Sequence, residues 1–211
     1  MTPERRFDPV LAGGLGVAYG AFGATFRGPR ERFWQRMTAA GAALGSLALL
    51  ADPELRRTRI RGRDVALGLG SAAGLYAIFR VGDRLARRIM PRGSEEIDEV
   101  YELRSLRPRG EIGARLAAVV GPAEELFWRG FVQRRLAARL GRWRGAAAAA
   151  SVYGGAHVVT GNATLIGAAT TAGAYWSALA AAGMPMGALV VSHVAWDIWI
   201  FLLQPTVPRD C

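Results

Sequence analysis

The sequence predicts an all-α, polytopic integral membrane helical bundle of about six to eight transmembrane helices. Three observations carry that prediction. Hydrophobic residues make up 51% of the 211-residue chain. Charge is segregated, and residues 145–196 contain no Arg, Lys, Asp or Glu. Apolar stretches approaching membrane length recur along the chain, and the arginines cluster beside several of them. A soluble domain needs polar positions roughly once per helical turn along its wet face. Residues 145–196 supply no charged ones, so this stretch belongs in a bilayer.

Taken in order, the candidate membrane segments are 9–26, 37–51, 65–82, 113–130, 145–160, 164–182 and 185–203. The N-terminus, "MTPERRFDPVLAGGLG", has a basic start and an apolar sequel but no nearby Ala-x-Ala cleavage site. That predicts retention as the first membrane segment. The second segment, "MTAAGAALGSLALLA", is short for a span and calls for extension by its neighbours, a tilt or a re-entrant path. The third, like the first, is glycine-rich. Glu124 and Glu125 interrupt the fourth, which is expected inside the bundle. The last three are separated by "TGNAT" at 160–164 and "AAGMPMG" at 181–187. Abundant Ala and Gly, as at 146–150, permit close helix contacts. Residues 92–109, "RGSEEIDEVYELRSLRPR", read as a wetted loop or short surface helix. The chain thus divides into N-terminal membrane helices at 1–91, a polar charged loop at 92–110 and a denser membrane core at 111–204.

The formal net charge is +10, and all 27 basic residues are arginine. They cluster at 27–36, 56–63, 80–92, 104–115 and 129–144, each beside a proposed span. No aromatic-basic face or binding module accompanies the charge, which argues against nucleic acid as a partner. Arginines in these places meet lipid headgroups, so the expected partner is the membrane, with the chain a multi-pass protein of the cell membrane. Several consecutive loops are basic, so loop charge does not orient the chain. The single cysteine, Cys211, is the last residue. It allows neither an internal disulfide nor a Cys-rich metal site, and it lacks the residues a prenylation signal places after its cysteine.

Polar residues inside the apolar half point to chemistry. In "PAEELFWRGFVQRRL" at 122–136, Glu125 and Arg129 are i,i+4 partners on one helical face, while Glu124 is turned about one hundred degrees away. One carboxylate can be held by the arginine while the other faces a cavity. The only two histidines are His157, in "YGGAHVV", and His193, in "VVSHVAWD"; Asp197 follows His193 at i,i+4. Ionisable groups in membrane segments are costly and mark relays, pathways or catalytic sites. A carboxylate beside a histidine can activate water, so Glu124 with His157 is the candidate base. A histidine donor could then stabilise an oxyanion. Asp197 would orient His193 or stay protonated, because an ionised aspartate repels an oxyanion. Ser192 adjoins His193 but faces elsewhere, which argues against a serine nucleophile. A zinc site built from His157, His193 and Glu124 or Asp197 is the alternative, although the spacing is not that of a His-Glu-x-x-His helix. The expectation is a metal-independent site.

The motifs carry a resemblance. "EELFWR" at 124–129 resembles the Glu-Glu-x-x-x-Arg motif of the CAAX-protease and bacteriocin-processing family of glutamate intramembrane endopeptidases. "YGGAH" at 153–157 is similar to its Phe-x-x-x-His motif, and "HVAWD" at 193–197 to its His-x-x-x-Asn/Asp motif. The resemblance covers about residues 110–203. It implies a catalytic cavity within the bilayer, with Glu124 and His157 activating water, His193 and Asp197 in the oxyanion-stabilising positions, and Glu125 and Arg129 in support. The place of the polar cluster within apolar helices, rather than the family name, points to a hydrophobic or lipidated peptide or protein as substrate. Two positions depart from the pattern. Tyr153 stands where phenylalanine is usual and adds a hydroxyl that needs a partner, and Asp197 stands where the prenyl-protein enzymes carry asparagine. A non-catalytic scaffold or immunity protein, and a proton-coupled transporter, share the same hydropathy and are the competing readings.

Overall fold

A computed structural model describes residues 8–90 and 92–205 as an all-α bundle. Helix α1 (Pro9–Arg27) is started by Asp8, whose side chain accepts from the Leu11 amide, with Pro9 at the first turn. Helix α2 (Phe33–Ala51) stops at Asp52–Pro53, because proline cannot continue it. Helix α3 (Gly62–Ile89) opens with the Asp64 carboxylate accepting from the Arg61 amide. Helix α4 (Gly93–Glu102) follows.

The segments Arg109–Arg115, Leu116–Val120, Gly121–Glu125, Leu126–Gln133 and Arg134–Leu140 run on without a break as α5. Two of them, Leu116–Val120 and Leu126–Gln133, have π-helical geometry. The first lies just before Pro122, whose missing N–H removes one rung of the ordinary ladder. Such widened turns are frequent at functional sites. Gly141, at φ +84°, ends α5 and turns the chain into α6 (Arg142–Ala156). The turn Val158–Thr160 and Asn162, which caps α7 (Ala163–Ala181), follow. The last helix is α8 (Met186–Leu203), whose final turns are again π-helical.

Every candidate membrane segment is therefore helical, but the helices are unequal. Among the described residues, α1, α3 and α8 are long and apolar enough to cross a membrane. The second segment is extended by its neighbours to 19 residues. The 145–160 segment is not one helix: α6 stops at Ala156 after 15 residues, leaving His157 at its C-terminal end. Of α1, α3 and α8, helix α3 is the least buried, with Val65, Leu67, Leu69, Ile78, Val81, Leu85 and Ile89 exposed. Cys211 lies outside the described residues.

Helix α5 is the axis. It runs parallel to α2, with Ala123 against Gly45, and antiparallel to α8, with Gly121 against Val194. The α5–α6 hairpin closes tightly because Gly145 lacks a Cβ, which would run into the backbone of Ala137. Aromatic and aliphatic side chains around Phe127, Trp128 and Phe131 fill the centre; a second cluster surrounds Trp34 and Ile112, a third Leu75 and Trp176.

The acidic stretch is more than a wetted loop. Ile97 and Tyr101 of α4 are buried, and Glu96 anchors the helix to the start of α7. The Thr164 amide and hydroxyl donate to Glu96 Oε2 at 2.8 and 2.7 Å, and Asn162 Nδ2 donates to the Glu96 carbonyl at 2.9 Å. The Thr164 hydroxyl, helped by backbone amides and Arg92, outweighs the cost of desolvation and holds the Glu96 carboxyl below its ordinary value. Such a group stabilises the docked state at neutral pH, and the contribution is lost as pH falls through the lowered value. Amide hydrogen exchange in α4 is expected to rise in acid for the parent, and to depend much less on pH in Glu96→Gln.

Candidate active site

The site forms where α5, α6 and α8 meet, with α7 behind. Glu124 and Glu125 point different ways from the α-helical turn between the two π segments. Glu125 is fully buried and receives Arg129 Nη1 at 2.9 Å on Oε1. Arg129, also buried, donates from Nη2 to the Gly173 carbonyl at 3.4 Å and lies over the rings of Tyr153 and Trp176. One turn on, Gln133 Nε2 donates to the Ser177 carbonyl at 2.9 Å, a second rung between α5 and α7. Arg129 therefore also ties α5 to α7.

Glu124 takes a different partner. The Tyr153 hydroxyl donates to its Oε2 at 3.0 Å, which answers what satisfies the added hydroxyl. On the same α6 turn, His157 Nδ1–H donates to the Tyr153 carbonyl at 3.0 Å. A carbonyl can only accept, so this bond fixes the tautomer and leaves His157 Nε2 with its lone pair. Phe22 and Phe26 of α1 pack against the His157 ring, its centroid 5.0 and 6.0 Å from theirs.

His193 is held differently from the expectation. Its Nδ1–H donates to Glu125 Oε1 at 2.7 Å, while Asp197 Oδ2 lies 3.6 Å from Nε2, beyond hydrogen-bonding distance. Glu125, on another helix, makes the hydrogen bond to the ring, while Asp197 pairs with it only at ion-pair distance. Trp176 stacks on it at 4.0 Å between centroids, 16° from parallel. Ser192 turns to Ser71 and the Trp176 indole N–H, which leaves it tied to a structural network.

Glu124, Tyr153, His157, His193 and Asp197 line one cavity of about 450 Å³ whose remaining walls are largely apolar. Glu125 and Arg129 stand behind it. Phe26, Phe33 and Trp34 contribute from the N-terminal helices, and Ile97, Val100 and Tyr101 from α4. The spacing 97, 100, 101 is the apolar face of an amphipathic helix, a signal present in the acidic run. Trp176 and the phenylalanines of α1 had no such signal, because aromatics in a membrane helix are ordinary. No arginine among the described residues lines the cavity, although the chain holds 27 basic residues. Among the described residues, no three His, Cys, Asp or Glu side chains form a group able to hold a metal ion. His157, His193 and Glu124 or Asp197 share a cavity without converging as zinc ligands.

No curated protein and no solved structure matches the chain. Residues 112–199 match the family model described as "Type II CAAX prenyl endopeptidase Rce1-like". That segment, which runs from α5 to α8 and holds Glu124, Glu125, Arg129, Tyr153, His157, His193 and Asp197, is similar to that family.

Proposed function

We propose that the chain is a multi-pass membrane endopeptidase that hydrolyses a peptide bond in a hydrophobic or lipidated substrate, using water activated by Glu124 and His157. The observation that carries this reading is the convergence of Glu124, His157, His193 and Asp197, from three helices, on one apolar-walled cavity. Water held between the Glu124 carboxylate and His157 Nε2 loses a proton to Glu124 as its oxygen attacks the peptide carbonyl. The carbonyl oxygen becomes an oxyanion beside His193. With Nδ1–H committed to the Glu125 carboxylate, a proton on Nε2 makes that ring a cation, with Asp197 3.6 Å from Nε2. Its Nε2–H is the donor for the oxyanion. Collapse of the tetrahedral intermediate breaks the C–N bond, and the amine leaves with the proton Glu124 had taken.

The substrate class follows from the walls. Burying apolar surface is worth about 25 cal/mol per Å², so an apolar or lipidated segment gains where a charged one pays desolvation. The test compares peptides of one sequence, with and without a lipidated cysteine, against a soluble folded protein, using purified protein in detergent and mass spectrometry of products. Lipidated or apolar peptides are expected to be cleaved preferentially, with and without chelator. Equal cleavage of the soluble protein would remove the support for a bilayer-facing cavity. Loss with chelator and rescue by zinc would make the histidines metal ligands.

A further inference from the structure

We infer that Tyr153 is the positioning residue that aligns both halves of the water-activating pair. This inference rests on the reading of Glu124 and His157 as that pair. Tyr153 touches both groups through different parts of itself: its hydroxyl donates to Glu124 Oε2 at 3.0 Å, and its carbonyl accepts from His157 Nδ1–H at 3.0 Å. The backbone bond would survive any side chain at this position. The hydroxyl bond needs tyrosine.

The ring itself is fixed from several sides. Trp128 meets it edge-on at 5.2 Å, the Arg129 guanidinium lies 4.9 Å from its centroid, and a Cβ on Gly173 would run into it. The hydroxyl therefore has little freedom, and it restrains the carboxylate it touches. With Oε2 occupied, Oε1 is the oxygen left to take a proton from water. A glutamate side chain free to rotate would spend most of its time in other rotamers, and misplacement of a base by about 1 Å is costly in rate. Because Arg129 sits against the same ring, the Glu125–Arg129–His193 network and the Glu124–His157 pair share one support.

The test is Tyr153→Phe, which keeps the ring, its packing and the His157 bond while removing one oxygen. Two readouts are taken. In cleavage kinetics, kcat is expected to fall about 10- to 100-fold, the range for a lost hydrogen bond to a charged group, with KM little changed. In infrared difference spectra, the Glu124 carboxyl band, identified by its absence in Glu124→Gln, is expected to shift between the parent and Tyr153→Phe. Unchanged kcat, or a carboxyl band that does not move, would overturn the inference. If the parent cleaves nothing while Glu124→Gln keeps full function in cells, the endopeptidase reading falls, and the infrared arm still decides whether Tyr153 holds Glu124.

Discussion

Glu124→Gln is expected to lower peptide cleavage by about 10²- to 10⁴-fold, the usual contribution of a positioned general base. Glutamine matches glutamate in shape and can still accept the Tyr153 hydroxyl bond now made at 3.0 Å, so the fold should persist. It cannot take a proton from water. The loss should fall on kcat and kcat/KM together, because the proton transfer occurs only in the transition state. Thermal melting in detergent close to that of the parent would show that chemistry alone had been removed. His157→Ala should lose activity too, but it also opens space beside Phe22 and Phe26, so its melting point is the less clean control.

Arg129→Met should produce the largest stability loss. Breaking a buried pair by removing one partner typically costs about 3–5 kcal/mol, because the other charge stays buried without compensation. Here Glu125 would keep only the His193 bond, and α5 would lose its link to the Gly173 carbonyl and to two aromatic faces. Methionine fills most of the arginine stem's volume, so packing loss adds little. The double variant Arg129→Met/Glu125→Leu, which removes both charges, should be more stable than Arg129→Met alone. Melting of these three proteins together with Glu125→Leu in one detergent gives the coupling directly. If Arg129→Met melts with the parent, Arg129 is not what joins α5 to α7.

Much of this arrangement was legible in the sequence because helical spacing is local. Glu125 and Arg129 meet by i,i+4 geometry on their own helix, and the angle between Glu124 and Glu125 follows from the same periodicity. The apolar stretches also mark the helices. What stayed hidden depends on contacts between helices. Asp197 is the local i,i+4 neighbour of His193, so it was the natural partner, yet Glu125 reaches His193 Nδ1 from α5 at 2.7 Å. The Tyr153 bond to Glu124 likewise joins two helices whose register no spacing rule supplies. Helix α4 was obscured for another reason: its acidic residues dominate the composition, while only the positions of Ile97, Val100 and Tyr101 reveal a face turned to the cavity. The short α6 escaped because hydropathy continues past Ala156 even though the helix does not.

The central claim is that a water molecule activated at Glu124 hydrolyses a peptide bond inside this cavity. The most direct test incubates a lipidated peptide with purified parent or Glu124→Gln protein in water enriched in heavy oxygen, and weighs the fragments. The account predicts a fragment whose new carboxylate carries heavy oxygen, formed by the parent and essentially absent with Glu124→Gln. Equal product from both proteins would contradict it, as would no product from any substrate together with full function of Glu124→Gln in cells, the result expected of a non-catalytic scaffold.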